Sequence, residues 1–389
     1  MPARFICSLL AAGIVAAPLL AQQPPVRQIA GPPTAASASF ARINDIHEFP
    51  DGRVLVVDHP GLAVYLVDFL RGRVEPVGRT GAGPGEYRLP ERLLRLPDDS
   101  VGIWDAANSR FLVLGPTGAP AGFRDPTGRP IGTSNPVAAI PPARVGDRRG
   151  FFYGLGRLTS GPAVGRSSES EWHPILRWAV GIQHPDTVAL LPYTVLPGAR
   201  RITTGYATPL SAIPPFAAGA VWAVSLEGAL AIVHPEPYRV KLVTRDGRRT
   251  VGPAIAYPRV PVSEEHRRAY LEEWRRPVPV QVFRRGESGS EIRIQPRGRR
   301  SGSVRWPSHL PPFLSGAARF APDGTLWVER TTPAEAPPRF DLFDASGRVR
   351  LQVELPTAGM RLVGFGSGTV YLVRLDTEGE ERLERWRLP

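Results

Sequence analysis

Short hydrophobic runs separated by turn residues recur along this chain. The clearest unit lies in residues 78–118, where a glycine-rich loop precedes β-prone runs at residues 93–96, 101–104 and 111–114. Runs of this length, rich in Val, Ile, Leu and aromatic residues and bounded by Asp, Asn, Gly and Pro, are typical of β-strands. The pattern predicts three strands joined by turns, and the loop at residues 81–87 is too rich in glycine to be helical.

Copies of this unit occur elsewhere in the chain. Asp51 precedes a hydrophobic run that ends at Asp58, seven residues later. Asp98 and Asp105 have the same spacing, and a further Pro-Asp-Gly turn begins at Pro322. The copies also align three tryptophans as equivalent residues of second strands: Trp104, Trp222 and Trp327. Repeated small antiparallel sheets predict a β-propeller or a β-solenoid, because one such sheet cannot bury both of its faces alone.

The same unit carries a family resemblance. GRTGAGPGEYRLP (residues 78–90) and, after a hairpin, DAANSR (residues 105–110) resemble the NHL-type repeat, with its GPG loop and its Asp, Asn and Arg turn before the third strand. The wider chain resembles bacterial secreted six-bladed β-propeller proteins of undefined role, closely over residues 43–123 and less closely over residues 213–249 and 313–356. This resemblance implies an all-β, NHL/TolB-like six-bladed β-propeller.

Six blades are assigned on this basis, at residues 43–78, 88–123, 135–197, 213–255, 311–355 and 360–388. The last contains only three strand-like runs, so we expect a strand at residues 26–30 to complete it and close the ring. A seven-bladed alternative stays open because residues 278–294 also look strand-like. In this interpretation residues 40–389 form a single propeller domain, preceded by a flexible segment at residues 22–39 that contains the closing strand.

One helix is predicted before blade five, at residues 263–276. Ser263 is a suitable N-cap, and Glu264 follows it at the positive end of the helix. Tyr270 and Trp274, four residues apart, share one face. The insertion behind the helix is rich in arginine, at Arg284, Arg285, Arg297, Arg299, Arg300 and Arg305. A helix has no place in a plain blade, so we expect the helix and the insertion to act as a cover or as a partner-contacting element.

The N-terminus predicts export. Arg4 precedes an apolar run at residues 5–20 that ends at Ala21, which is the pattern of a signal peptide spanning residues 1–21. A membrane anchor is the alternative, but the run is shorter than the roughly 20 residues of a spanning helix. Cys7, the only cysteine, lies within this segment, so the mature chain has no disulfide. We expect export to the periplasm or the extracellular space, without a transmembrane segment.

The composition is basic, with a formal net charge of +12 from 48 basic and 36 acidic residues. Nearly all basic residues are arginines, and they are scattered among carboxylates along the sequence. Such scatter is typical of a genome-wide bias toward GC-rich codons, whereas a polyanion-binding surface needs clustered charge. We therefore predict no specific nucleic-acid partner.

The meander of a propeller blade brings two sets of residues to one face, which we name the top face. These are the starts of the inner strands and the turns after the second strands, among them residues 58–61 and 227–228. Candidate binding residues at the inner-strand starts are Asn44, Asp45, Glu91, Arg92, Ser315 and Arg361, with Asp58, His59 and Arg330 farther out. We also expect Asp58, Asp105 and Asn108 to fix turns through hydrogen bonds to the backbone.

The sequence offers few catalytic or metal-binding patterns for this face. Six-bladed lactonases, which the predicted fold resembles, hold a divalent cation at the axis through Glu, Asn and Asp oxygens. The aligned axial positions here are rich in arginine or apolar, so we predict no metal or other cofactor, with calcium as the alternative. The seven histidines lack the spacing of a zinc site, and no serine has the GxSxG framing of a hydrolase nucleophile.

These patterns favour a non-enzymatic binding or scaffold module, expected to be a monomer, that presents its top face to a protein, a peptide or a glycan. The alternative is a metal-dependent hydrolase or lyase, lactonase-like, with its site at the propeller axis. Propellers host both classes, so the fold alone does not choose between them. Carboxylates and amides at equivalent inner-strand starts would favour the enzyme, and Asn44, Asp45 and Glu91 fit that description in part.

Overall fold

The computed structural model describes residues 24–128, 143–156, 171–180, 184–193, 214–217, 219–283, 290–296 and 304–388. The predicted signal peptide lies outside these residues. The same is true of the insertion arginines other than Arg305. No helix in the described parts of the chain is both long and apolar enough to cross a membrane.

The first half of the chain forms blades one and two. Two strands precede blade one: β1 (Val26–Gln28) and β2 (Thr34–Phe40). Blade one contains β3 (Ile43–Glu48), β4 (Val54–Asp58), β5 (Ala63–Asp68) and β6 (Arg73–Pro76). A short parallel pair follows, β7 (Arg79–Thr80) and β8 (Glu86–Tyr87). Blade two contains β9 (Pro90–Arg95), β10 (Val101–Asp105), β11 (Arg110–Leu114) and β12 (Pro120–Arg124).

Blades three and four come next, and a helix with a separate hairpin follows them. Blade three contains β13 (Val145–Gly146), β14 (Phe151–Leu155), β15 (Glu171–Ala179) and β16 (Asp186–Tyr193). Blade four contains β17 (Val221–Val224), β18 (Leu230–Pro235), β19 (Tyr238–Val243) and β20 (Arg249–Val251). The helix and the hairpin are α1 (Glu264–Arg275), β21 (Val278–Phe283) and β22 (Ser290–Gln295).

Blades five and six complete the ring. Blade five contains β23 (Ala318–Phe320), β24 (Leu326–Arg330), β25 (Arg339–Phe343) and β26 (Val349–Glu354). Blade six contains β27 (Arg361–Gly366), β28 (Thr369–Leu375) and β29 (Glu381–Arg387), and β2 from the N-terminus is its outer strand. The predicted all-β, six-bladed propeller with one helix before blade five is confirmed.

The repeated Pro-Asp-Gly turns join inner strands to second strands. In blade one, the backbone N–H of Phe49 donates to the carbonyl of Arg53 at 2.8 Å, and Gly52 between them has a φ of +82°. Gly324 repeats this conformation in blade five, also with a φ of +82°. Glycine adopts a positive φ without strain because it has no Cβ. The turn residues therefore set where each hydrophobic run ends.

The ring closes through a different strand from the one predicted. β2 pairs antiparallel with β29, and Ala36 and Phe40 on β2 are buried between blades. β1 instead pairs in parallel with β26 and adds a fifth strand to blade five. The prediction that residues 26–30 close the ring is therefore wrong. Val26 is 50% exposed, so this short strand does not bury the apolar face that a closing strand needs.

Two further assignments are corrected by the sheet order. β21 and β22 form an isolated two-stranded hairpin, so the strand-like residues 278–294 do not make a seventh blade. In blade four, Trp222 lies on the inner strand β17 and not on a second strand. The turn at residues 227–228 then joins the inner strand to the second strand, and it lies on the face opposite the top. Matching blade four to the other copies therefore placed its strands one position too late, with β17 taken for a second strand. The reason is that the half-buried β17 has the composition of a second strand.

Hydrophobic side chains fill the spaces between neighbouring blades. Between blades six and one, for example, Phe40, Val54 and Tyr371 are buried in one cluster. Burial of a Val or Phe side chain contributes roughly 1.5–3 kcal/mol. Packing between blades therefore holds the ring, and the inner strands surround the axis with their polar side chains and backbone groups.

Candidate functional site

The register of the blades defines the top face. Ile43 at the start of β3 pairs with Asp58 at the end of β4, and Pro90 at the start of β9 pairs with Asp105 at the end of β10. Inner-strand starts and the turns after second strands therefore share one face, as predicted. His59 connects two blades there, because its Nδ1 lies 2.9 Å from the carbonyl oxygen of Pro90.

Asp58 is used to fix a turn. Its buried carboxylate accepts hydrogen bonds of 3.0 Å from the backbone N–H groups of Ala41 and Arg42. Asp105 does the same in blade two, where it accepts a hydrogen bond of 3.0 Å from the N–H of Leu89. Both carboxylates bind the segment that enters their blade, so Asp58 is not open to a ligand.

Arg330 also has a structural contact at the junction of blades four and five. Its Nη1 donates to Asp341 at 2.9 Å, and the two side chains are 7% and 0% exposed. Asp341 accepts further hydrogen bonds from the hydroxyl of Tyr238 and from Nε2 of Gln352, each at 2.7 Å. Ser315, by contrast, lies exposed in the turn that precedes β23.

The remaining candidates meet around the axis, where they join neighbouring inner strands. Asn44 donates from Nδ2 to the carbonyl of Glu91. Asp45 accepts a hydrogen bond of 2.8 Å from the N–H of Leu93, so two residues of blade one contact the inner strand of blade two. Arg92 continues the series, since its Nη2 donates to the carbonyl of Ala143 in blade three at 3.0 Å.

Blades five and six make similar contacts. Nη1 of Arg319 donates to the carbonyl of Leu362 at 2.9 Å, and Nη2 of Arg361 donates to the carbonyl of Ile43 at 2.9 Å. Glu381 supports the second contact, because its carboxylate accepts from both Arg361 and the N–H of Ile43 at 2.7 Å. We name the side-chain contacts from Asp45, Arg92, Arg319 and Arg361 to the next inner strand the blade latches.

These groups and Glu329 form a charged group that we name the axial cluster: Asp45, Arg92, Arg319, Glu329 and Arg361. All five side chains are half-buried. Burial raises the pKa of Asp45, against the opposing hydrogen bonds from Leu93 and Ile46 and the charges of Arg319 and Arg92. Burial likewise raises the pKa of Glu329, against the charges of Arg319 and Arg361. The carboxylates of Asp45 and Glu329 are therefore largely removed from water, and this raises their pKa values. Both side chains are only half-buried, so they keep some contact with water.

The arginines of the cluster respond to burial in the opposite direction. Burial lowers the pKa of Arg319, and the charges of Glu329 and Asp45 oppose this effect. Burial and the nearby charge of Arg144 lower the pKa of Arg92 to about 10. Arginines and carboxylates thus lie together in the axial cluster, and each sign partly offsets the desolvation of the other.

Arg319 and Glu329 were not among the candidates chosen from the sequence. Arg319 stands three residues before the proline of its turn, Pro322, whereas Asp45 and Arg92 stand five residues before theirs. Aligning the inner strands on these prolines therefore does not mark Arg319 as an axial residue. Glu329 lies on a second strand among buried hydrophobic residues, and no repeat signal marks it.

Helix α1 lies across the top face from blade five to blade one. Near its N-terminus, Nε2 of His266 lies 3.1 Å from the carbonyl oxygen of Thr332, which follows β24. Near its C-terminus, Glu273 forms an ion pair of 2.9 Å with Arg42, which precedes β3. The two contacts are seven residues apart, which is about 10 Å along the helix axis, so α1 joins top-face segments of blades five and one. Ser263 caps it as predicted.

An aromatic group lies beside this helix, and we name it the aromatic cap: Phe216, Tyr270, Trp274 and Trp306. The ring of Tyr270 is 5.2 Å from that of Phe216 and 5.6 Å from that of Trp306, and it stacks on Trp274 at 6.5 Å. All four side chains are half-buried. The face shared by Tyr270 and Trp274 is therefore packed within the aromatic cap, and it remains partly open to solvent.

The described residues contain no group of three His, Cys, Asp or Glu side chains arranged to hold a metal ion. Asp45 is already bonded to two backbone N–H groups. Asn44 contributes its amide to the neighbouring strand.

By sequence, no family model and no curated protein match the chain. Solved structures align along most of it. Regucalcin, a calcium-binding protein from Agrobacterium tumefaciens, aligns at 13% identity with a TM-score of 0.43, over 94% of this chain and 97% of that one. A catalytically inactive virginiamycin B lyase from Staphylococcus aureus with quinupristin aligns at 12% identity with a TM-score of 0.42, over 92% and 99%. A member of the duf4221 family from Bacteroides vulgatus aligns at 10% identity with a TM-score of 0.47, over 92% and 96%.

Proposed function

We propose that this protein is an exported, non-enzymatic binding module that receives a protein or peptide partner on its top face. The aromatic cap is the observation on which the proposal rests. Trp, Tyr and Arg are the residue types that contribute most to binding energy at protein interfaces. Here Tyr270, Trp274 and Trp306 lie together, and the guanidinium of Arg267 lies 5.8 Å from the Trp306 ring.

The position of the cap supports the same function. Helix α1 has no buried residue, and two described contacts, from His266 and Glu273, join it to top-face segments of blades five and one. A helix that served only to stabilise the ring would bury an apolar stripe against it. A half-exposed aromatic face on such a helix is better suited to bury surface against a partner.

The blade latches argue against an axial catalytic centre. A hydrolase of the lactonase type needs several oxygen ligands that converge on one ion. In this chain Asp45 bonds to Leu93 and Ile46, and the side-chain amide of Asn44 bonds to Glu91. These side chains already satisfy backbone groups of the inner strands, so binding an ion would break contacts that join the blades.

The proposal is tested by site-specific photo-crosslinking in cells that export the protein. A photoreactive residue is placed at Ala269 or Glu272, which are exposed on α1, and at Leu70 as a control. Leu70 is 80% exposed and lies in the turn after β5, on the face opposite the top. We expect one protein to be captured from both helix positions and not from Leu70.

Substituting the cap distinguishes specific capture from proximity. Trp274→Ala should abolish capture from Ala269, whereas Leu70→Ser should leave it unchanged. Capture that is equal from Ala269 and Leu70, or capture that survives loss of the cap, would contradict the proposal. Capture of glycan instead of protein would also contradict it.

A further inference from the structure

A groove opens at the rim of the ring, between the outer strands of blades three and four. It lies between β16 and β20 and has a volume of about 380 Å³. We name it the rim groove and define it by six of its lining residues: Ala189, Leu190, Lys241, Val243, Arg249 and Val251. Volumes of this size are typical of small-molecule sites. The rim groove shares no residue with the axial cluster or with the aromatic cap.

The floor of the rim groove is apolar, and the outer strand of blade four is too short to cover it. β20 has only three residues. Ile232 is buried and Val243 is half-buried in the cluster that joins blades three and four. At the sides of the groove, Leu190 is 52% exposed and Val251 is 56% exposed. An alkyl chain in the groove would therefore remove apolar surface of both blades from water.

Two cations stand together on this apolar face. β19 and β20 pair Lys241 with Val251, and the next pair on the same face is Val243 with Arg249. Paired side chains of antiparallel strands lie on one face, so Lys241 and Arg249 are diagonal neighbours, about 7–8 Å apart. Lys241 also pairs with Ile232 on β18. The strand register therefore places both cations on the face that carries the apolar floor.

Neither cation is neutralised within the described part of the chain. The side chains of Lys241 and Arg249 form no hydrogen bond and no ion pair there. The described residues that line the groove include no Asp or Glu. Asp186, at the start of β16, is paired with Arg177 at 3.2 Å. Two neighbouring like charges without a carboxylate favour the binding of an anion.

We infer that the rim groove binds the anion of a single-chain fatty acid. Its carboxylate would accept charge-assisted hydrogen bonds from Lys241 and Arg249, and its alkyl chain would cover Ile232 and Val243. A membrane surface fits less well, because recognition of anionic lipid surfaces uses clusters of roughly four to eight basic residues. A protein partner would bury a wider surface than this groove offers. The inference goes beyond the proposed function and does not depend on it.

A second groove, at the outer strand of blade one, provides a matched control. Its volume is about 320 Å³, but its lining contains carboxylates as well as arginines. Arg53 is paired with Asp51 there at 2.7 Å. Arg73 is the first residue of the outer strand β6, as Arg249 is of β20, and both are exposed. Arg73→Gln therefore removes an equivalent outer-strand cation without changing the rim groove.

The test uses isothermal titration calorimetry with dodecanoate below its micelle concentration. Dodecyltrimethylammonium, which has the same chain and the opposite charge, is the control probe. The wild-type protein should bind dodecanoate and should bind the cation at least about tenfold more weakly. Arg249→Gln and Lys241→Gln should each weaken dodecanoate binding by about tenfold, the loss expected from one charge-assisted hydrogen bond, and Arg73→Gln should leave it unchanged. If dodecanoate does not bind, if both probes bind equally, or if Arg249→Gln and Arg73→Gln have equal effects, the inference is wrong.

Lys241 offers a second readout, because it is the only lysine in the sequence. Reductive methylation followed by mass spectrometry therefore reports on this side chain separately from the N-terminal amine. Dodecanoate at ten times its Kd should slow methylation of Lys241 by about tenfold and should not protect the N-terminal amine. This measurement needs no variant, so it also decides the matter if Lys241→Gln fails to fold. If vesicles of anionic phospholipid protect Lys241 and dodecanoate does not, the groove contacts a membrane surface and the inference is wrong.

Discussion

Replacement of Asp341 by alanine should destabilise the protein strongly. Its carboxylate is fully buried between blades four and five and accepts hydrogen bonds from Tyr238, Gln352 and Arg330. The alanine variant leaves the guanidinium of Arg330 buried without its counter-charge, which costs about 3–5 kcal/mol in comparable sites. The hydroxyl of Tyr238, 1% exposed, also loses its acceptor. We therefore expect the free energy of unfolding to fall by about 3–5 kcal/mol, toward the upper end of that range.

The assay is chemical denaturation followed by tryptophan fluorescence, with Asp344→Ala as the matched control. Asp344 lies in the same blade, in the turn after β25, where it accepts hydrogen bonds from Ser346 and Arg348 near the surface. Its loss should cost about 0.5–1.5 kcal/mol. The double variant Asp341→Ala/Arg330→Met should be less destabilised than the sum of its single changes, because no unpaired charge stays buried. If Asp341→Ala is no more destabilising than Asp344→Ala, the reading of Arg330 as a structural anchor is refuted.

Three further changes test the ring, the helix and a buried histidine. Phe40→Ala in the closing strand β2 should lower the free energy of unfolding by about 3–5 kcal/mol, measured by urea denaturation. Val26→Ala in β1 should change it by less than about 0.5 kcal/mol. Equal effects of the two substitutions would contradict closure by β2. Tyr270→Ala/Trp274→Ala should cost about 1–3 kcal/mol because both rings are half-buried, and a change within error would show that α1 is not docked. Burial lowers the pKa of His47 from 6.5 to about 3, so the folded state binds fewer protons than the unfolded state and loses stability as pH falls between these values. His47→Gln should remove up to roughly 5 kcal/mol of this acid destabilisation, measured as unfolding free energy against pH, and an unchanged slope would contradict it.

Turn chemistry made much of the top face predictable. Asp45 and Arg92 each stand five residues before the proline of the following turn, at Pro50 and Pro97. Because such a turn fixes the register of the inner strand, equal spacing places both residues at the same height on neighbouring strands. This spacing therefore marks two of the three members of the axial cluster that the sequence identified, and Arg361 at the start of an inner strand is the third.

Contacts between distant parts of the chain were not predictable in the same way. Residues 34–40 are mostly Ala and Ser, which carry a weak strand signal, so their role as the closing strand depends on burial against β29 at the other end of the chain. Glu381 bonds to Arg361 and to the backbone of Ile43 across the closure, yet no repeat marks its position. Its role follows from which blades become neighbours, which local patterns do not encode.

The metal content of the purified protein tests most directly whether the axial groups join blades or hold a catalytic ion. The protein and its Asp45→Asn variant are isolated without chelator, and calcium and zinc are quantified by mass spectrometry. We predict that neither metal is present in stoichiometric amount in either protein, because Asp45 is bonded to Leu93 and Ile46. One tightly held calcium or zinc ion per chain in the wild type, lost in Asp45→Asn, would contradict the latch assignment and favour the metal-dependent hydrolase or lyase.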